Sequence, residues 1–424
     1  MIRTLLLTAL VYCAASGMGA QTANDQPIVT VQQLIGEALQ RNPEINAARH
    51  RIGIADGRAS QAGSLSPPTL TYMRDQMTGF IWNQAMMDQW ELMQMVMFPT
   101  KLSTQSAIGS LQRSQSVQDF DEKGAEICSR VRSVYAEFWS LQQSAVLMQE
   151  NVGLMKQFAE IARNRVAVGT ASLQDALKAE VEAAKMESQL IGIEQKELSM
   201  ASMLAALTGR PAGDPIGKAV LPAAVGRPVL LDTLQMQAIA RRPMLRRDSL
   251  MVEEGSLMVS MARQEYLPDL TFGLRYYRFV NMDQRAWSVM AGISIPFAPW
   301  ALGRASGRVE EAEAALLNSR ASYDASRAMV LASVTDLYHR TESSWQQLKT
   351  YNDRIIPQAH DALMASVTAY QTGKADFLML VDSFRMNLEL SMEAIMTRMQ
   401  FEQSSAELGR AIGLQPDEME KEFR

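Results

Sequence analysis

Methionine is the residue type with the most chemistry to offer in this chain. There are 29 in 424 residues, and seven of them (Met73, Met77, Met86, Met87, Met93, Met95 and Met97) fall within one short stretch. A thioether is a soft ligand that suits Cu(I) and, by extension, Ag(I). It is also an adaptable packing group that fills gaps, so the cluster reads as ion-passing or as plain packing. A surface that passes ions must release them again, so no dedicated metal site is assigned. The three histidines, His50, His339 and His360, are scattered along helical stretches and read as surface or seam residues. There is no G-x-S-x-G, H-E-x-x-H or P-loop pattern. A catalytic constellation is missing, so neither an enzyme nor a bound cofactor is expected. Cys128 sits beside a helical seam position and reads as a packed thiol. Cys13 follows the bulky Tyr12 in an apolar leader, where a lipid anchor is the alternative to simple removal.

Charge and hydropathy narrow the setting. The chain is 47% hydrophobic and 21% charged, with a net charge of −5, which fits a folded protein without the basic surface that nucleic acid requires. Residues 1–20 read as a secretory signal peptide. Arg3 comes first, Thr4 to Ser16 form a short apolar stretch, and Gly17-Met18-Gly19-Ala20 precede a cleavage point near Gln21. Beyond it no run of about 18 apolar residues occurs, which excludes a helical membrane span. Membrane insertion would then require a closed β-barrel.

The elements come in two copies. Leu34, Ala38, Arg41, Pro43, Ser60, Ala62, Pro68, Leu70 and Thr71 recur at a constant offset as Leu234, Ala238, Arg241, Pro243, Ser260, Ala262, Pro268, Leu270 and Thr271. Trp90 recurs as Trp287, Val168-Gly169 as Thr372-Gly373, and Leu207-Thr208-Gly209 as Ala411-Ile412-Gly413. The chain therefore divides into the leader (1–20), a first repeat (21–208, with strands near 69–74 and 89–98), a Pro/Gly-rich linker (209–229), a second repeat (230–413, with strands near 269–279 and 286–296) and a tail (414–424). Each repeat reads helix, strand, strand, long helix, turn, helix. In the first, a helix is expected over 31–65 and a very long one over 101–167. Ile127, Val131, Val134, Phe138, Leu141, Ala145, Met148, Val152, Met155, Ala159, Ala162 and Val166 step by three and four along it, which is a sustained heptad seam. Leu331, Val334, Tyr338, Thr341, Trp345, Leu348, Asn352 and Ile355 echo it in the second repeat. The long helix would reach about 100 Å, close to the summed length of the two shorter ones, which describes a palisade and not a globule.

Four strands per chain are too few to close. The smallest membrane barrels need about eight strands, and a solute-wide lumen needs more. Three chains would supply about twelve, so closure demands oligomerisation. The strands alternate. Trp287, Val289, Ala291, Ile293 and Ile295 share one face, as do Trp90, Leu92, Val96 and Phe98, with Gln94 the exception; this face is expected to meet lipid. Met93, Met95, Met97 and Met290 fall on the opposite face, toward the lumen.

Asn42-Pro43-Glu44 with its echo Arg242-Pro243, the element Tyr266-Leu267-Pro268-Asp269-Leu270, and the two helix–Gly–helix turns together resemble the TolC-like outer-membrane efflux family over essentially the whole mature chain. Met93–Leu102 (MQMVMFPTKL) further resembles its heavy-metal-efflux (CzcC- and CusC-like) branch. The resemblance implies a mainly α fold with a small β part: a homotrimeric α-barrel of coiled-coil helices topped by a 12-stranded β-barrel, with the linker at its equator. It implies a passive conduit in the outer membrane, with its helices in the periplasm, docked to a periplasmic adaptor and an inner-membrane pump. The favoured cargo is metal cations such as Cu(I) or Ag(I); drugs, other small molecules or proteins remain alternatives, as does a non-conducting periplasmic scaffold. By the same resemblance, Val168, Gly169, Thr170, Ala171 and Ser172, with Thr372, Gly373, Lys374, Ala375 and Asp376, form adaptor-contacting tips. Asp382 would be a tunnel-facing gate carboxylate, with Met379 where the family's best-known member has a second aspartate. Tyr370 and Asp175 match a hydrogen-bonded latch, whose usual arginine is replaced by Ala375.

Overall fold

The computed structural model describes residues 27–75, 85–169, 172–222, 230–280, 284–296, 298–300 and 302–414. The leader, the tail beyond Leu414, and the tip residues Thr170 and Ala171 lie outside the described residues. The chain is mainly α-helical with a small sheet.

The helix expected over 31–65 is two helices, α1 (Val31–Arg41) and α2 (Pro43–Ala62). Pro43 has no N–H to continue α1, so Asn42 turns out to an extended conformation and caps α2. Its Oδ1 accepts from Glu44 N at 2.7 Å and Ile45 N at 3.3 Å, and its Nδ2 donates to Leu207 O at 2.8 Å. A capping box of Thr30 and Gln33 starts α1. The chain then makes β2 (Thr69–Asp75) and β3 (Met87–Val96), the long α3 (Pro99–Ala167) and α4 (Leu173–Thr208). β1 (Ile28–Val29) precedes α1 and pairs in parallel with β4 (Lys218–Ala219). The Pro/Gly-rich stretch thus contributes to the core: Ile216 and Ala219 are buried, and Tyr135 Oη donates to Val29 O at 2.7 Å and accepts from Val220 N at 2.9 Å.

The second repeat follows the same order. α5 (Leu231–Arg241) and α6 (Pro243–Gln264) break at Arg242-Pro243, then come β5 (Leu270–Phe279), β6 (Gln284–Ile293) and α7 (Leu302–Thr350). One π-helical turn, Tyr351–Ile355, joins α7 to α8 (Ile356–Gln371), and α9 (Phe377–Ala411) closes the repeat. The π turn explains a departure from the heptad reading. Val330, Val334, Leu337, Thr341, Ser344 and Leu348 form the buried row, whereas Asn352 is exposed. The extra residue of a π turn rotates the buried face, and the row resumes at Ala359 and Leu363.

Helices lie side by side in one layer. α2, α3, α6 and α7 are neighbours in that order in one half; α4, α3, α9 and α8 are in the other. Two repeat-related cores hold the middle, one around Leu34, Ile127, Val131 and Leu204, the other around Leu234, Val334 and Leu408. A third fills the far end, where Met148, Met155 and Ala162 of α3 meet Ala179 of α4 and Leu380 and Phe384 of α9.

Candidate functional site

The four longer strands form one antiparallel sheet in the order β2-β3-β5-β6, with no partner on the outer side of β2 or β6 among the described residues. Register makes the two faces explicit. Leu70, Leu92, Leu274 and Val289 form one cross-strand row, and Tyr72, Trp90, Tyr276 and Trp287 the next. The aromatic rings lie tilted against one another along that row, with centroids 4.9, 5.8 and 4.8 Å apart. Such cross-strand pairs hold a register against slippage. The repeat-related Trp90 and Trp287 thus sit at one level. Gln94, the polar exception on this face, has its amide satisfied: Nε2 donates to Ser66 O at 2.9 Å and Met95 O at 2.7 Å.

The opposite face carries Glu91 paired with Arg275 at 2.9 Å, and Arg275 also donates to Tyr277 Oη at 3.1 Å. An ion pair is costly against hydrocarbon, so at this level of the sheet this face suits water better than lipid. Met93 and Met290 lie on it, in one row across Gly273, where an added Cβ would come 3.0 Å from Met290 Cε. Met95 shares the face, one row away. Met97 does not join this ladder. β3 ends at Val96 because Phe98 caps α3 and Pro99 opens it, so the expected strand 89–98 stops two residues early. β6 ends at Ile293, leaving Ile295 outside it. Phe98 N donates to Asp269 Oδ1 at 3.0 Å, and buried Lys101 donates to Leu267 O at 2.8 Å and Asp269 Oδ1 at 2.9 Å. Those bonds clamp sheet to helix.

At the other end, Gly169 (φ +74°) and Gly373 (φ +72°) turn the chain. Ser172 caps α4, accepting from Gln174 N at 3.1 Å, and Asp376 caps α9, accepting from Phe377 N at 2.7 Å. Val168 is exposed, as are Gly169, Ser172, Thr372, Gly373 and Lys374; Ala375 is half-buried. Tyr370 is buried, its ring 5.6 Å from that of Phe377. Its Oη has no hydrogen-bond partner among the described residues, so the bond to Asp175 is not made. The reason is local: Arg165 and Phe377 wedge the ring, while Asp175 sits in the first turn of α4, where a carboxylate favours the helix N-terminus. Arg165 lies 4.8 Å over the Tyr370 ring and donates to Tyr370 O at 2.8 Å. It joins the two tips, and the sequence reading missed it. The available signal was a basic residue in the last turn of α3, which its own helix end would also explain.

Met379 and Asp382 are both exposed, three residues apart on the side of α9 opposite buried Leu380, Val381 and Phe384. Arg385, next along, is paired with Glu182 of α4. Among the described residues, no three of His, Cys, Asp and Glu gather as a metal site.

Comparison with known proteins matches this arrangement. Residues 234–414 match the family model described as Outer membrane efflux protein. The chain is 21% identical over 392 residues to the cobalt-zinc-cadmium resistance protein CzcC of Cupriavidus metallidurans, covering 91% of this chain and 90% of that one. The outer-membrane channel OprN shares its fold with a TM-score of 0.78 at 16% identity, over 91% of this chain and 90% of that. CusC does so with a TM-score of 0.76 at 15% identity, over 91% and 92%. The family model falls on the second repeat, and the internal duplication carries the same element order through the first.

Proposed function

We propose that three copies of this chain form the outer-membrane duct of a tripartite efflux system, passing metal cations outward from an inner-membrane pump and its periplasmic adaptor. The observation that carries the reading is the open-edged, two-faced sheet. Up to the aromatic row one face is aliphatic and aromatic but for Gln94, the other holds an ion pair, methionines and small residues, and both edges are free among the described residues. Lipid does not tolerate open edges, and four strands are too few to close. The helical layer supports the same assembly. Leu177, Val181, Ile191 and Leu198 are exposed along one heptad seam of α4, at the layer's edge.

Passive conduction accounts for a protein without a catalytic centre. Cargo enters from the pump, and the wall needs only weak contacts. Asp382 and Met379 would line the narrow end, where three copies of the carboxylate give a negative ring. Tips at 168–172 and 372–376 would meet the adaptor. Met93, Met95 and Met290 on the face of the ion pair favour soft cations such as Cu(I) and Ag(I), and the likeness to CzcC and CusC points toward metals. A deletion strain scored against copper, silver, zinc, cobalt and common drugs tests the cargo. Metal sensitivity is expected; a strain sensitised only to drugs refutes it.

A further inference from the structure

The lipid-facing side of the sheet ends in a row of charge. Two residues beyond the aromatic row, toward the hairpin tips, Arg74, Asp88, Arg278 and Arg285 are cross-strand neighbours. Asp88 is engaged, 3.4 Å from Arg74 and accepting from Tyr72 Oη at 2.9 Å. Arg278 and Arg285 face each other directly, are exposed, and have no ion pair or hydrogen bond among the described residues. Like charges directly opposite destabilise a sheet, so the pair is a standing cost that a bound anion would relieve.

Position says which anion. Tyr and Trp concentrate at the bilayer–water boundary. Two residues of strand carry the row about 7 Å further out along the chain, into the headgroup layer. Guanidinium forks match phosphate oxygens in pairs. We propose that Arg278 and Arg285 clamp the phosphomonoester of an outer-leaflet lipid, anchoring each protomer's sheet at a fixed height. This rests on the apolar face meeting the bilayer, which particle mass and pore current test independently.

The experiment uses the purified full-length protein in detergent, with lipid A as the phosphomonoester-bearing probe, phosphatidylethanolamine as the zwitterionic phosphodiester control and inorganic phosphate as the free anion. Retention is read by native mass spectrometry. Wild type is expected to hold lipid A in preference to both controls. The double variant R278Q/R285Q is expected to bind it about thirtyfold more weakly, with an unchanged oligomer and unchanged conductance. R278K/R285K, which keeps the charge, should retain most of the binding and guards against a folding defect. Equal binding by wild type and R278Q/R285Q overturns the proposal. So does binding of phosphatidylethanolamine or inorganic phosphate as tight as that of lipid A.

Discussion

Gly413→Ala should be among the most damaging single-methyl additions in the chain. Gly413 follows α9 at φ +72°, and a Cβ there would sit 2.8 Å from both Arg241 C and Arg242 N and 2.9 Å from Arg242 Cα. These are backbone atoms at the α5–α6 break, so no side chain can swing aside. The left-handed backbone alone costs a non-glycine residue about 1–2 kcal/mol, and overpacking adds about 1–3 kcal/mol. The expected loss is therefore about 2–5 kcal/mol. The first repeat has the same geometry: Gly209 is at φ +70°, and its added Cβ would lie 2.8 Å from Arg41 O, so Gly209→Ala should behave alike. Gly153→Ala is the contrast. It lies within α3 with nothing within 4 Å of the added atom, and should gain about 1 kcal/mol. Thermal unfolding of the purified variants reads all three. A Gly413→Ala protein as stable as wild type, or less damaged than Gly153→Ala, would refute the close-approach argument.

Three further outcomes are expected. Arg165→Ala removes a charged hydrogen bond and a cation–π contact between the tips, about 2 kcal/mol together; single-channel recordings should show a more open duct, and unchanged conductance would remove Arg165 from the closure. Asp382→Ala should weaken block of the pore by multivalent cations, and an undiminished block would remove the gate assignment. The Arg210 guanidinium, bonded twice to Glu37 at 2.7 Å, holds the Glu37 carboxyl below its usual range against the opposing effect of burial. That pair's contribution, about 1 kcal/mol, is present above the unfolded carboxylate value near 4.3 and is lost as pH falls through the lower folded value. The stability gap between wild type and Glu37→Gln should thus close in acid, and a gap constant from pH 7 to pH 3 would contradict the linkage.

Periodicity and duplication made the helices and hairpins legible, because heptads and alternation are local patterns. The breaks at Pro43 and Pro243 have a signal in the proline itself, yet the helix expected over 31–65 ran straight through the first. The π turn after Thr350 was not, since no residue type announces an extra backbone unit. Strand ends drifted because Phe98-Pro99 begins a helix, and a Pro at the first helical position reads equally as a strand stop. At the tips, Tyr370 was identified but its partner was not. Arg165 lies 205 residues away, and only the folded layer brings the end of α3 to the end of α8. The arginine row beyond Trp90 and Trp287 needed the cross-strand register, which alternation alone does not fix.

The decisive measurement is the mass of the detergent-solubilised full-length particle, taken together with current across a planar bilayer containing it. A particle of three chains that carries an ionic current is the expected result. A single chain in water, its sheet folded against its own helices and passing no current, would contradict the claim that neighbouring copies complete the barrel.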